Sequence, residues 1–128
     1  MRRLRLPLHL LTAAYWLTIL ALTHWPAQRL PKLPPNDKLL HVLAYGPLGG
    51  LLFLCLWHAR PHRPHFTWLV LPIGLAYGVL DELTQPWFNR TAAFDDWVAD
   101  AVGLVIATVI MTLFRRLVER RAPAAGAP

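Results

Sequence analysis

The chain has little cysteine and little charge. Cys55 is the single cysteine among 128 residues, so no disulfide can form within the chain, and its position in an apolar run predicts a buried, unreactive thiol. Only 16% of the residues are charged, whereas 55% are hydrophobic and the mean hydropathy is +0.37. This composition argues against a disordered or a highly charged soluble protein and favours a membrane protein of one domain.

The excess of basic residues does not predict a nucleic-acid-binding protein. The formal net charge is +6 at pH 7, but a nucleic-acid-binding surface needs Lys and Arg gathered on one soluble face. In this chain the Arg residues flank apolar runs instead. We therefore expect membrane lipids, and no nucleic acid, as partners.

Four apolar stretches predict an all-α integral membrane bundle of four transmembrane helices. They cover roughly residues 6–25, 39–57, 66–83 and 97–117. Each is close to the ~20 residues that a helix needs to cross a bilayer. The first follows a basic N-terminus, as in a signal peptide, but its small-x-small cleavage pattern is poor, and we interpret it as an uncleaved anchor. The membrane domain is expected to span residues 1–121, followed by a disordered tail at 122–128 that is rich in Ala, Pro and Gly.

The distribution of Lys and Arg predicts the orientation of these helices. Nine of the basic residues lie in the N-terminal tail, the second loop and the C-terminal tail, and four lie at the opposite ends of the helices. Because positive residues are retained on the cytoplasmic side, both termini are predicted to be cytoplasmic. The first and third loops are then outside.

Six of the seven acidic residues lie at the predicted outer ends of the helices. Orientation does not explain this bias, because acidic residues contribute little to it. On a helix, residues three or four positions apart share a face, and three such rows of polar and small residues begin at the outer ends. The rows are Asp37, His41, Tyr45 and Gly49; Gly74, Gly78, Glu82 and Gln85; and Asp96, Asp100, Gly103 and Ala107. Since small residues allow helices to approach closely in lipid, the rows are predicted to meet in one outward-facing polar site, with the first helix as an apolar anchor.

These rows resemble the VanZ-like family of small bacterial membrane proteins. The matching segments lie within residues 37–104 and are "DKLLHVLAY", "DELTQ", Arg90 and "FDDWVADAVG". The resemblance implies a multi-pass protein of the bacterial cytoplasmic membrane, associated in some members with resistance to glycopeptides, teicoplanin in particular. The family often has Pro-Gly before the arginine, where this chain has "PWFNR", and often has Asn where Asp100 stands.

Ionisable residues inside a membrane are usually functional, and these residues supply the candidate site. The candidate catalytic residues are Glu82, His41, Asp37 and Asp100. The candidate substrate-binding residues are Lys38, Tyr45, Gln85, Arg90 and Asp96. Helix capping and the helix dipole offer a structural alternative for Asp37 and Asp96, and neutralisation of neighbouring acids offers one for Arg90.

Three functions are compatible with such a site. An enzyme acting on a lipid-linked or cell-wall precursor would use Glu82 as general base and His41 as acid or orienting group, with Lys38 and Arg90 on phosphate. A non-catalytic protein that binds an envelope lipid or a glycopeptide is the alternative. A small transporter fits less well, because the candidate acids cluster at one end of the helices instead of near the middle of the membrane.

A metal or cofactor is not assigned by the sequence. Converging carboxylates suit magnesium or calcium, and His41 would favour zinc or manganese. The chain nevertheless contains no ligand motif with a fixed spacing, so no metal ligands, cofactor or oligomeric state follow from it.

Overall fold

The computed structural model describes residues 5–25, 37–59 and 66–121, and these form four α-helices. They are α1 (Arg5–Thr23), α2 (Asp37–Ala59), α3 (Thr67–Thr84) and α4 (Phe94–Arg121), with a short 3-10 helix (Gln85–Phe88) directly after α3. The described part of the chain contains no strand. The all-α prediction and the number of helices are therefore confirmed, whereas the expected tail at 122–128 lies outside the described residues.

Three of the helices are long and apolar enough to cross a membrane. These candidate spans are Leu6–Thr23, Asp37–Ala59 and Phe94–Arg121. Helix α3 has only 18 residues and carries Asp81 and Glu82 in its last turn, which makes it less apolar. That α3 also crosses the membrane, and that both termini are cytoplasmic, remain predictions.

The helices run alternately up and down, which gathers the polar helix ends. At this polar end, the last turn of α1 meets the last turn of α3, where the Thr23 hydroxyl donates a hydrogen bond of 2.7 Å to Asp81 Oδ1. At the opposite end, the Arg115 guanidinium lies over the Phe66 ring, 4.8 Å from its centroid. The C-terminal ends of α1 and α3 and the N-terminal ends of α2 and α4 therefore share one end of the bundle.

Small residues bring α2 and α4 into close contact. A Cβ atom added at Gly103 would lie 2.6 Å from the Val42 carbonyl oxygen and 3.0 Å from the Gly46 nitrogen. One turn further along α2, a Cβ at Gly49 would lie 3.2 Å from the Cβ of Ala107. The two backbones therefore touch, as small residues permit in membrane helices.

Large apolar side chains cover the outside of the bundle. Examples on each helix are Leu17, Leu43, Leu80 and Ile110, whose exposed fractions are 63%, 58%, 60% and 57%. A soluble monomer rarely exposes so continuous an apolar surface, whereas membrane lipid is a suitable environment for it. The interior is filled by fully buried residues such as Tyr45 and Leu104.

Candidate functional site

Four ionisable side chains from three helices form a cluster at the polar end, which we call the polar centre. It consists of His41 from α2, Glu82 from α3, and Asp96 and Asp100 from α4. The spacing of four residues places Asp96 and Asp100 on one face of α4. Their exposed fractions are 9% and 0%, and that of Glu82 is 7%. The three carboxyl groups are thus withdrawn from the surface and face other helices.

His41 is held by Asp100. The ring Nδ1 lies 2.8 Å from Asp100 Oδ1, and both side chains are largely buried. A carboxylate accepts a hydrogen bond from an N–H, so this pair favours the proton on Nδ1 and leaves Nε2 for another partner. Nε2 lies 3.8 Å from Asp96 Oδ2, which is beyond hydrogen-bond distance.

Glu82 is fixed in place by two donors. The Gln85 side-chain Nε2 donates to Glu82 Oε1 over 3.1 Å, and the backbone N–H of Ala93 donates to Oε2 over 2.9 Å. Gln85 is itself buried and begins the short 3-10 helix. Glu82 therefore connects the backbone just before α4 to the end of α3 by a hydrogen bond.

Lys38 lies on the rim of the polar centre and pairs with several acids. Its Nζ lies 2.6 Å from Asp95 Oδ2, 3.5 Å from Asp96 Oδ1 and 3.8 Å from Asp37 Oδ1. The Asp37 side chain is 63% exposed, so it belongs to the rim and not to the buried cluster. Arg90 is half-buried and pairs with no carboxylate of the described residues, so Lys38 takes the neutralising role that the sequence offered for Arg90.

Tyr45 faces a second group of polar side chains, which the sequence did not predict. The Tyr45 hydroxyl donates to Asp81 Oδ2 over 3.5 Å, and Asp81 Oδ1 accepts the hydrogen bond from Thr23. His24 joins this group through Nε2, 2.7 Å from the Thr84 hydroxyl oxygen, and through Nδ1, 3.6 Å from Asp81.

The first helix is an apolar candidate span, as predicted, but its end also contributes polar groups to the bundle. Thr23 is the last residue of α1, and His24 follows it directly. Both reach the last turn of α3, where they stabilise a carboxylate that is 1% exposed. The adjacent polar pair at the end of an apolar stretch was the available signal for this contact.

An apolar groove opens beside the polar centre. It has a volume of about 240 Å³ and is lined by Val79, Glu82, Leu83, Ala92, Ala93, Phe94 and Trp97. The rings of Phe94 and Trp97 stack with centroids 5.6 Å apart, and Trp97 Nε1 donates to the Leu75 carbonyl oxygen. Glu82 thus lies where the buried cluster meets an apolar groove that is open at the surface of the bundle.

A sequence model of the VanZ/LLP1 family matches residues 5–115. The chain belongs to the VanZ/LLP1 family. The match covers α1, α2 and α3, most of α4 and every candidate site residue, and it confirms the resemblance found in the polar rows. Together with the apolar helices, it identifies a VanZ-like membrane protein. Searches among curated proteins and among solved structures return no match.

In this VanZ/LLP1 protein, the polar centre has the groups needed to bind a cation or to move a proton. One ligand atom from each of His41, Glu82 and Asp96 lies within 4.8 Å of the others. Lys38 on the rim carries a positive charge that is paired with Asp95 at 2.6 Å. The arrangement therefore combines acid–base groups, a lysine and an apolar groove within one end of the bundle.

Proposed function

We propose that this protein is an enzyme of the bacterial cytoplasmic membrane that acts on the phosphorylated headgroup of a lipid-linked or cell-wall precursor at the outer face. The observation that carries the proposal is the position of Glu82, which belongs to the buried polar centre and also lines the apolar groove. A substrate with a polar headgroup and a hydrocarbon chain would contact both surfaces at once.

The polar centre is proposed to contain the catalytic groups. His41 and Glu82 present their side chains to a common space, and Asp100 orients His41 through the 2.8 Å contact. Asp96 lies beside them and shares Lys38 with the rim. Carboxylates and histidine in hydrogen-bond reach of a substrate are the usual groups for general acid–base catalysis.

The rim is proposed to bind the phosphate of the headgroup. Lys38 is half-exposed, and an incoming phosphate would displace an exposed acid as its partner. Arg90, with no carboxylate partner among the described residues, would supply a second, bidentate contact. Asp37 would keep Lys38 on the rim, whereas Tyr45 and Gln85 would position Asp81 and Glu82.

The apolar groove is proposed to hold the start of the hydrocarbon chain. Its volume of about 240 Å³ is enough for only part of a long lipid. Phe94 is 77% exposed at its edge, where an aromatic ring suits the boundary between lipid and water. The remainder of the lipid's hydrocarbon chain would lie in the bilayer along α3 and α4.

The first test is turnover of phosphorylated polyprenyl lipids by protein purified in nanodiscs. We expect Glu82→Gln to lower the rate by about 10²-fold or more, because the substitution removes a charged catalytic group while preserving its shape. Glu119→Gln is the matched control, since Glu119 is half-exposed and pairs with Arg115 at the opposite end of the bundle. Full activity of Glu82→Gln would remove Glu82 from the chemistry.

A non-catalytic lipid-binding protein is the second candidate. It is favoured by one observation: both oxygens of Glu82 already accept hydrogen bonds, as expected of a carboxylate that maintains the shape of a site. In that case native mass spectrometry of the wild type would show a retained phospholipid or precursor, with saturable binding and no product. Glycopeptide binding would be distinguished by competition with teicoplanin.

A role in glycopeptide resistance is part of the proposal at the level of the cell. It would arise if processing or capture of an envelope precursor altered the target of the antibiotic. Expression of the wild type should then raise the concentration of teicoplanin needed to stop growth, and Glu82→Gln should not. Equal susceptibility of cells with and without the wild-type protein would contradict this part.

A further inference from the structure

We propose that the polar centre binds one divalent transition-metal cation, Zn²⁺ or Mn²⁺, through His41, Glu82 and Asp96. The inference rests on the proposed function insofar as the ion would serve the same site, where His41 and Glu82 would act as metal ligands instead of as acid–base groups. Metal binding can nevertheless be measured without any substrate. The two proposals can therefore fail separately.

The positions of the ligand atoms support a shared ion. One ligand atom from each of the three residues lies within 4.8 Å of the others. The separation of His41 Nε2 and Asp96 Oδ2, 3.8 Å, is too long for a hydrogen bond. Two ligand atoms that share one ion, each about 2.0–2.2 Å from it, can be separated by this distance. Small side-chain rotations would bring the third ligand to the same ion.

The surroundings of each ligand match those of metal-bound side chains. A histidine that binds a metal through one ring nitrogen usually donates its other N–H to a carboxylate or carbonyl group. Asp100 provides this acceptor for His41 Nδ1 at 2.8 Å. Ligating carboxylates are also held by hydrogen bonds, and Gln85 and Ala93 hold Glu82 in this way. The polar centre is therefore arranged before any ion arrives.

The charge of the polar centre is a second, independent argument. Asp100 is fully buried, and its Oδ2 has no hydrogen-bond partner among the described residues. Glu82 and Asp96 add two more buried carboxyl groups, and Lys38 divides its charge among Asp96 at 3.5 Å and the exposed Asp95 and Asp37. Buried carboxylates are costly unless a cation compensates them. A divalent ion among these groups would supply the missing positive charge.

The ligand set indicates the class of metal. One imidazole nitrogen with two carboxylates suits Zn²⁺ or Mn²⁺, whereas Mg²⁺ and Ca²⁺ prefer oxygen ligands throughout. Three protein ligands leave at least one coordination position for water or for a phosphate oxygen. That open position would face the same space as Lys38, consistent with an anionic headgroup.

The test is metal binding by the full chain in detergent, after removal of metals with a chelator. We expect titration with ZnCl₂ or MnCl₂ to reach about one ion per chain, with the ion retained after desalting and counted by mass spectrometry. Asp96→Asn should weaken the affinity by at least about 100-fold, because loss of a charged ligand should cost no less than loss of an outer-shell partner, which costs about 10–100-fold. Asp95→Asn is the matched control, since the neighbouring Asp95 is exposed and contacts Lys38 on the rim. Its affinity should stay within about threefold of the wild type.

A wild type that binds neither ion would overturn the proposal, as would equal affinities for the Asp96 and Asp95 variants. If Asp96→Asn does not fold, Glu82→Gln replaces it, and the wild type itself is tested by its Co²⁺ absorption spectrum. A spectrum without bands from a nitrogen-ligated Co²⁺ ion would also contradict the proposal. Zn²⁺ binding without lipid turnover would support the metal site and count against the proposed enzyme. Lipid turnover by the metal-free protein would support the enzyme and count against a metal ion in its site.

Discussion

Asp81 shows how one buried carboxyl group is accommodated inside an apolar bundle. Thr23 donates to one of its oxygens over 2.7 Å, and Tyr45 donates to the other over 3.5 Å. His24 adds a ring nitrogen 3.6 Å away. Burial of a polar group is tolerated when its hydrogen bonds are made, and these partners come from the end of α1, the residue directly after it, and α2. Asp81 therefore ties three helices together at the polar end.

Removal of the Thr23 hydroxyl should destabilise the fold. Thr23→Val keeps the shape of the side chain but leaves Asp81 Oδ1 without its short hydrogen bond, at a cost of roughly 1–3 kcal/mol. Thr18→Val is the matched control, because the exposed Thr18 hydroxyl donates only to the Ala14 carbonyl oxygen within α1. Its effect should stay within about 0.5 kcal/mol. Thermal unfolding in detergent measures both, and equal stability of the two variants would contradict the role of Thr23.

At the scale of single residues, the sequence predicted the types of residue in the polar site more accurately than it predicted which side chains contact one another. The spacing of His41 and Asp100 placed each on the polar face of its helix, and the structure brings them together. Tyr45 lies in the same row as His41, yet it turns to Asp81, which lies outside the predicted rows. A helical row gives the face of a side chain but not the neighbour across the interface, since that depends on rotation and depth. The roles of these residues in binding or catalysis remain predictions.

The contact between α2 and α4 is the element-scale feature on which the polar centre depends. It carries His41 on one helix and Asp96 and Asp100 on the other. Gly103, less than one turn beyond Asp100, lets the α4 backbone approach Val42 and Gly46 of α2. A wider separation at this point would pull His41 away from Asp100. The close approach of the backbones therefore sets the geometry of the site.

A methyl group at Gly103 should disturb this contact. In Gly103→Ala the new Cβ would lie 2.6 Å from the Val42 carbonyl oxygen, a backbone atom that cannot rotate away. Overpacking of this kind costs about 1–3 kcal/mol, and the separation of the helices should also lower Zn²⁺ affinity. Gly50→Ala is the matched control on α2, because a Cβ there meets no atom within 4 Å.

Gly50→Ala should change stability by no more than about 1 kcal/mol, in the stabilising direction that alanine favours within helices. Unfolding in detergent distinguishes the two variants. If Gly103→Ala were as stable as Gly50→Ala, the close contact between α2 and α4 would not be a determinant of the fold.

Hydropathy predicted the most apolar helices most clearly. Three helices are long and apolar enough to cross a membrane by themselves. Helix α3 is less apolar because its last turn holds Asp81 and Glu82. The same two acids place α3 at the polar centre and at the Asp81 group. The 3-10 helix that buries Gln85 was not predicted, since a proline after Gln85 indicates a break in the helix without giving the new direction.

The position of the polar centre relative to the membrane is a property of the whole molecule. All its members lie at one end of the bundle, together with the groove that opens beside Glu82. The opposite end has a basic last turn in α4, with Arg120 and Arg121. Positive residues are retained in the cytoplasm, so this asymmetry predicts that the polar end faces outward.

Reporter fusions test this orientation directly. A fluorescent protein that matures only in the cytoplasm should be bright when fused after residue 121, and a phosphatase that is active only outside should be active when fused after residue 30. The basic ends of α4 and of the N-terminal tail support this result, because each Lys or Arg near a helix end favours cytoplasmic retention. The reverse pattern would place Lys38, the polar centre and the groove at the cytoplasmic face. The metal site could then still exist, but its substrate would have to be a cytoplasmic intermediate instead of an exported envelope precursor.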